Sequence, residues 1–215
     1  MFTVGAVDNN DVWYNYSCFM DADVDLVAPS GPLYSFGDPH SGDGVWTTDR
    51  MGLLGDNPNG FDGCLPENDI DYRCTFGGTS AAAPLVTGTA ALVLSKRPEL
   101  TAAELMDVLK QSAVTDLAWG SISPPDEKYG YGMVNAFRAL VAVARGDANN
   151  DGNIEVGDAV YMINYIFKGG PPPQPHMLMG DFNCDGTTNV GDVVSTVSYV
   201  FRGGPAPEVC TDYLP

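Results

Sequence analysis

Residues 76–95 read FGGTSAAAPLVTGTAALVLS. Two glycines and a Thr-Ser pair make a turn, and small or aliphatic residues then run to Ser95 without a single charge. A surface helix carries a polar face; this run has none, so it reads as one long helix, 80–95, for the interior of a layered fold. Pro84 is tolerated because it lies near the start, where amides lack intrahelical acceptors anyway. Ser80 stands at the helix N-terminus, beside unpaired amide hydrogens and the positive end of the helix dipole, features that stabilise an oxyanion. The same position suits an ordinary N-cap serine. The flanking sequence has to decide between nucleophile and cap.

Outward from this helix, TVGAVD (3–8) and DLVAPS (25–30) read as short buried strands. TAAELMDVLKQSA (101–113) opens with a Thr-x-x-Glu capping box, Thr101 to Glu104, and carries an apolar face at Leu105, Val108 and Leu109. YGYGMVNAFRAL (129–140) leads into a third helix, with Val134, Phe137 and Leu140 expected inward. Strands followed by buried helices of small residues predict an α/β layered fold. Residues 31–77 read as a long inserted loop rich in Asp and Glu, stapled by Cys64 and Cys74.

In order, VGAVD, DLVAPS, GTSAAAPLVTGTAALVLS and GYGMVNA resemble the C-terminal part of a subtilisin-like serine protease, a subtilase. The match covers most of residues 3–144, and Pro84-Leu85 leans towards the kexin-like branch. The resemblance implies that Ser80 is the catalytic nucleophile of a serine endopeptidase acting on protein or peptide substrates. A serine hydroxyl needs an imidazole to take its proton and a carboxylate to orient that imidazole. The family places its Asp, its His and the Asn of its oxyanion hole before the serine, and none of those motifs occurs in residues 1–79. His40 falls in the inserted loop and reads as a surface residue; His176, in PPPQPHM, reads as a solvent-exposed linker. The polypeptide is therefore expected to be inactive by itself. The alternatives are a non-enzymatic calcium-dependent docking or surface-attachment module with an inert protease remnant, and an enzyme completed by a separate chain.

The second half holds a duplication. DANNDGNIEVGDAVYMINYIFKGG (147–170) and DFNCDGTTNVGDVVSTVSYVFRGG (181–204) align without gaps and share 12 of 24 positions. Each opens Asp-x-Asn-x-Asp-Gly and puts an Asp twelfth. Calcium takes six to eight oxygens, which a tight loop aims inward from positions one, three and five, with glycine at six for the turn. Position seven gives a backbone carbonyl, position nine acts directly or through water, and position twelve closes the cage. The candidate ligands are Asp147, Asn149, Asp151, Asn153, Glu155 and Asp158, then Asp181, Asn183, Asp185, Thr187, Asn189 and Asp192. Two calcium ions are expected, with room for further sites in the acidic insertion. Each loop runs into a helix ended by Gly-Gly-Pro, with Val160, Ile163 and Phe167, then Val194, Val197 and Phe201, expected on paired inward faces. This half-EF-hand duplication resembles type I dockerins, whose partners are cohesins. Val156-Gly157 and Val190-Gly191 stand where cellulosomal dockerins often carry a hydroxyl-bearing contact pair.

The expected organisation is 1–145 for the subtilase part, 146–207 for a small all-α dockerin-like domain, and 208–215 as a tail. Against 10 Lys and Arg stand 28 Asp and Glu, a net charge of −18. That balance opposes binding to nucleic acid or anionic membrane and favours bound cations. No apolar run reaches the roughly 18 residues that a bilayer span needs. No signal peptide precedes MFTVGAVD, so the chain reads as lacking its natural N-terminal part. Five cysteines suggest two disulfides, Cys64 with Cys74 and Cys184 with Cys210, leaving Cys18 over. The expected location is extracellular or at a cell surface, with a cohesin-like or cell-surface protein as partner.

Overall fold

The computed structural model describes residues 2–17, 24–31, 44–57 and 69–207. The chain forms two compact units, residues 1–89 with 113–134 and residues 90–112 with 135–215.

In the first unit, β1 (Val4–Val7) and β2 (Leu26–Pro29) pair in parallel, Val4 opposite Leu26 and Val7 opposite Pro29. Both are apolar runs covered on either face, the usual state of an interior parallel strand. Ala6, Val7, Leu26, Val27 and Ala28 have no exposure at all. On the far side of β2 the Val27 amide donates to Gly132 O at 3.0 Å, and the Val134 amide donates to Val27 O at 2.9 Å. The core collects Val7, Val24, Val27, Leu117 and Tyr129, with Trp13, Val114, Ile122 and Met133 packed against it.

The acidic insertion is more than a loop, which corrects the sequence expectation. β3 (Val45–Thr48) and β4 (Tyr72–Phe76) form an antiparallel pair within it. β3 alternates half-buried and exposed residues, the mark of a strand with one solvated face. Cys74, buried on β4, is disulfide-bonded. Cys64, its expected partner, lies outside the described residues, as do Cys18, Cys210 and His40. A short hairpin, β5 (Asp116–Leu117) with β6 (Gly120–Ser121), is the last strand pair of this unit among the described residues.

α1 spans Thr79–Lys96. Its polar residues turn back on their own helix, Thr87 Oγ1 donating to Ala83 O at 3.0 Å and Thr89 Oγ1 to Leu85 O at 2.9 Å. α2 (Ala102–Gln111) carries the expected capping box, with Glu104 N donating to Thr101 Oγ1 and Thr101 N to Glu104 Oε2. Val108 and Leu109 are its buried pair. α3 (Ala136–Ala144) is capped by Asn135, whose side chain accepts from the Arg138 amide at 2.9 Å. Its buried face is Ala139 and Val141 to Ala144; Phe137, expected inward, is 44% exposed.

α4 (Val156–Lys168) and α5 (Val190–Arg202) follow the two acidic loops, and each ends at a left-handed glycine, Gly169 and Gly203. Their inward faces are not the expected ones. Val160, Ile163, Phe167, Val194, Val197 and Phe201 are all exposed, the two phenylalanines by 66% each. Asp158, Ala159 and Met162 are buried on α4, and Asp192, Val193 and Thr196 on α5. The helical step explains the correction. At about 100° per residue, positions two, five and nine beyond the twelfth-position Asp lie roughly 140–200° round from it. Because Asp158 and Asp192 must point into their loops, that apolar stripe is turned outward.

Candidate functional site

Two places carry the candidate residues. Ser80 is an exposed side chain at the second position of α1. The turn before it depends on Gly78, whose φ of +79° is a conformation that side-chain-bearing residues rarely adopt. The Gly78 carbonyl accepts from the Ala81 amide at 2.9 Å, which starts the helix.

The turn is fixed from the end of β2. The buried Ser30 hydroxyl donates to Gly78 O at 2.6 Å, and the Gly78 amide donates to Gly31 O at 3.2 Å. Tyr16 OH donates to the same Gly31 carbonyl at 2.5 Å. Burial pushes the Tyr16 phenol above its usual range, so it stays a neutral donor. Sequence reading missed Tyr16 and Ser30, which reach the turn only through the pairing of β1 with β2. Ser30→Ala is expected to lower stability by about 1 kcal/mol, because the Gly78 carbonyl loses a buried donor. A denaturant melt of that variant checks it. His176, expected in a solvated linker, is half-buried: its Nδ1 accepts from the Leu178 amide at 3.3 Å, and its ring packs edge-on against Phe137.

The paired loops repeat one hydrogen-bond pattern. In the first, Asp147 Oδ1 accepts from the Asp151 amide and Oδ2 from the Gly152 amide, both at 3.0 Å. In the second, Asp181 accepts from the Asp185 and Gly186 amides at the same 3.0 Å distances. The twelfth residues close each loop on its own backbone: Asp158 accepts from Asn149 and Glu155 amides, Asp192 from Asn183 and Asn189 amides. The amides of Asn153 and Thr187 donate to Asp151 and Asp185. Gly152 and Gly186 have φ of +93° and +85°, so the sixth position demands glycine for its backbone. Asn150 and Cys184, fourth in each loop, are also left-handed, a feature the motif did not announce.

Charge is concentrated here under cover. Asp158, Asp181 and Asp192 have no exposure, and Asp147 only 4%. Burial pushes the Asp147, Asp158 and Asp192 carboxyls above the usual carboxylate range. Hydrogen bonds from the Thr187 and Asn189 side chains hold Asp185 down to about 2. One oxygen from each of Asp181, Asp185 and Asp192 lies within 4.8 Å of the others; the carboxylates of the first loop do not gather as closely. An all-oxygen donor set whose buried carboxylates outnumber the Arg145 and Lys96 cations beside them fits a hard dication and no soft metal.

Residues 1–132 match the model of the subtilase family. The chain belongs to that family. Residues 145–200 of this subtilase match the dockerin type I domain, and α3 lies between the two matches. The chain is 37% identical over 107 residues to the calcium-dependent protease of Trichormus variabilis, covering 48% of this chain and 16% of that one. It is 32% identical over 181 residues to Mycosin-2 of Mycobacterium tuberculosis, covering 81% of this chain and 26% of that one. A solved lanthipeptide protease aligns at 29% identity with a TM-score of 0.47, over 65% of this chain and 40% of its own. The subtilase thus spans about a sixth to a quarter of the length of these curated relatives. Its mixed α/β class is as expected, with an all-helical region after residue 145. No helix among the described residues is long and apolar enough to cross a membrane.

Proposed function

We propose that this chain is the nucleophile-bearing portion of a serine endopeptidase, joined to a calcium-loaded dockerin module that attaches it to a protein partner. The observation that carries the enzymatic half is the Gly78–Ser80 turn, locked to β2 by Ser30 and presenting an exposed hydroxyl at a helix N-terminus. In the reaction, Ser80 Oγ bonds to the scissile carbonyl carbon and gives its proton to an imidazole. That proton passes to the departing amine as the C–N bond breaks. Water then releases the acyl group by the same route in reverse. First-turn amides of α1 supply positive potential where the carbonyl oxygen becomes negative.

The imidazole and its carboxylate come from further polypeptide. One feature supports this. α1 is apolar all round, yet Leu85 and Leu92 are exposed by 39% and 47%. A digestion assay tests the reading. The 215-residue chain is expected to leave casein intact, and a polypeptide extended by the missing motifs is expected to cut it. Digestion by the short chain, lost in Ser80→Ala, would refute the need for completion.

In the dockerin module, Asp147, Asn149, Asp151, Glu155 and Asp158 would hold one calcium ion with the Asn153 carbonyl, and Asp181, Asn183, Asp185, Asn189 and Asp192 a second with the Thr187 carbonyl. The ion supplies the charge that these carboxylates lack. The exposed stripes Val156, Val160, Ile163, Phe167 and Val190, Val194, Val197, Phe201 form duplicate docking faces for a cohesin-like protein. Because they are near copies, Phe167→Glu or Phe201→Glu alone is expected to leave binding within about threefold, and the pair together to weaken it at least a hundredfold. Calorimetry against a cohesin panel reads this directly. The disulfide-bonded Cys74 and Cys184 favour an extracellular or cell-surface setting.

A further inference from the structure

α3 and both acidic loops belong to one compact unit, and the contact between them is built around one arginine. Arg145 directly follows Ala144, the last residue of α3, and has no exposure. Its Nη1 pairs with Oδ2 of Asp181, the first residue of the second loop, which is equally buried. The same Oδ2 also accepts from the Gly186 amide at 3.0 Å, and Oδ1 accepts from the Asp185 amide, both within the loop. One carboxylate is therefore held by the loop backbone and by the end of α3 at once. The backbone reinforces the join: the Gly146 amide donates to Met179 O at 2.7 Å, in the short turn leading to Asp181.

We infer that Arg145 is a positioning residue that couples cation binding in the second loop to the folding of α3. The inference rests on the calcium reading of the loops. A buried guanidinium needs a buried anion, and a buried anion that also serves a metal is oriented by its outer partner. Three carboxylates, Asp181, Asp185 and Asp192, exceed a dication by one negative charge, which Arg145 balances. The pair thus stays satisfied when the ion is bound. Without the ion, repulsion among Asp181, Asp185 and Asp192 opens the loop that orients Asp181, and the hold on α3 loosens. The first loop has a looser counterpart. Lys96, at the end of α1, lies 3.9 Å from Asp147 Oδ2 and 3.3 Å from Asn150 Oδ1, but its side chain is 35% exposed. Solvent screens that contact, so Lys96 carries little coupling.

The test is amide hydrogen exchange of the whole chain with calcium and with EDTA, alongside calorimetry of calcium binding. In the wild type, calcium is expected to slow exchange in Ala136–Ala144 by about tenfold or more. In Arg145→Met, calcium still binds but slows α3 exchange by less than about twofold; in Lys96→Met the wild-type response persists. Full calcium-dependent protection of α3 in Arg145→Met overturns the inference, as does equal loss in Lys96→Met. Should Arg145→Met fail to fold, Arg145→Lys decides: restored protection supports the coupling, and a folded variant without it refutes the coupling. A wild type that binds no calcium in the calorimeter defeats the calcium reading itself, and is recognised by that separate measurement.

Discussion

In a completed enzyme carrying this chain, Ser80→Ala lowers kcat by about a millionfold and leaves KM within a few-fold, since loss of a nucleophile removes an interaction made only in the transition state. Substrate binding draws on the cleft walls, whereas bond-making draws on one oxygen. The turn geometry sharpens the expectation. Ser80 is placed by Gly78 and by the Ser30 hydroxyl, so Ser80→Cys or Ser80→Thr perturbs the reacting atom with the scaffold intact. Steady-state kinetics on a small peptide substrate checks this. A Ser80→Ala enzyme retaining more than about a hundredth of wild-type kcat would place the nucleophile elsewhere.

The second large effect is removal of calcium. Asp147, Asp158, Asp181 and Asp192 are buried carboxylates, and the basic groups beside them among the described residues are Arg145 and Lys96. An ion present at about a thousand times its Kd adds about 4 kcal/mol per site. Each kcal/mol moves the melting temperature of a module this small by about 4–8 °C. EDTA, by emptying both sites, is therefore expected to lower Tm of the α4–α5 module by roughly 30–60 °C in circular dichroism melts, and identical melts would contradict it.

The pH dependence reverses with calcium. A carboxyl raised in the folded state binds protons that the unfolded chain does not, so stability grows as pH falls through the window just above the ordinary carboxylate range. Asp147, Asp158 and Asp192 act in that sense. In EDTA, acidification through that window raises Tm; in calcium, protons compete with the ion for the same oxygens and the same change lowers it. Asp185 contributes the opposite sign, stability present above the ordinary carboxylate value and lost only as pH falls through its own value of about 2. It does not intrude on this window.

What could be read in the sequence was what repeats or caps locally. The Thr101–Glu104 box, both strands of the β1–β2 pair and the two loop registers follow from neighbouring residues. The outward stripes on α4 and α5 were misread because apolar spacing names a face without saying which way it looks; the twelfth-position Asp held that answer. The β3–β4 pair escaped notice because polar, interrupted strands gain their pattern from a partner more than twenty residues away. Tyr16 and Ser30 were invisible for the same reason, as their role exists only once β2 delivers Gly31 to the serine turn.

The most direct test is covalent. Treat the completed enzyme and the 215-residue chain with a fluorophosphonate, digest each, and map the adduct by mass spectrometry. A single phosphonyl group on Ser80 in the completed enzyme, and none on the short chain, is the predicted result. An adduct on any other serine of the completed enzyme, or rapid labelling of Ser80 in the short chain, would contradict it.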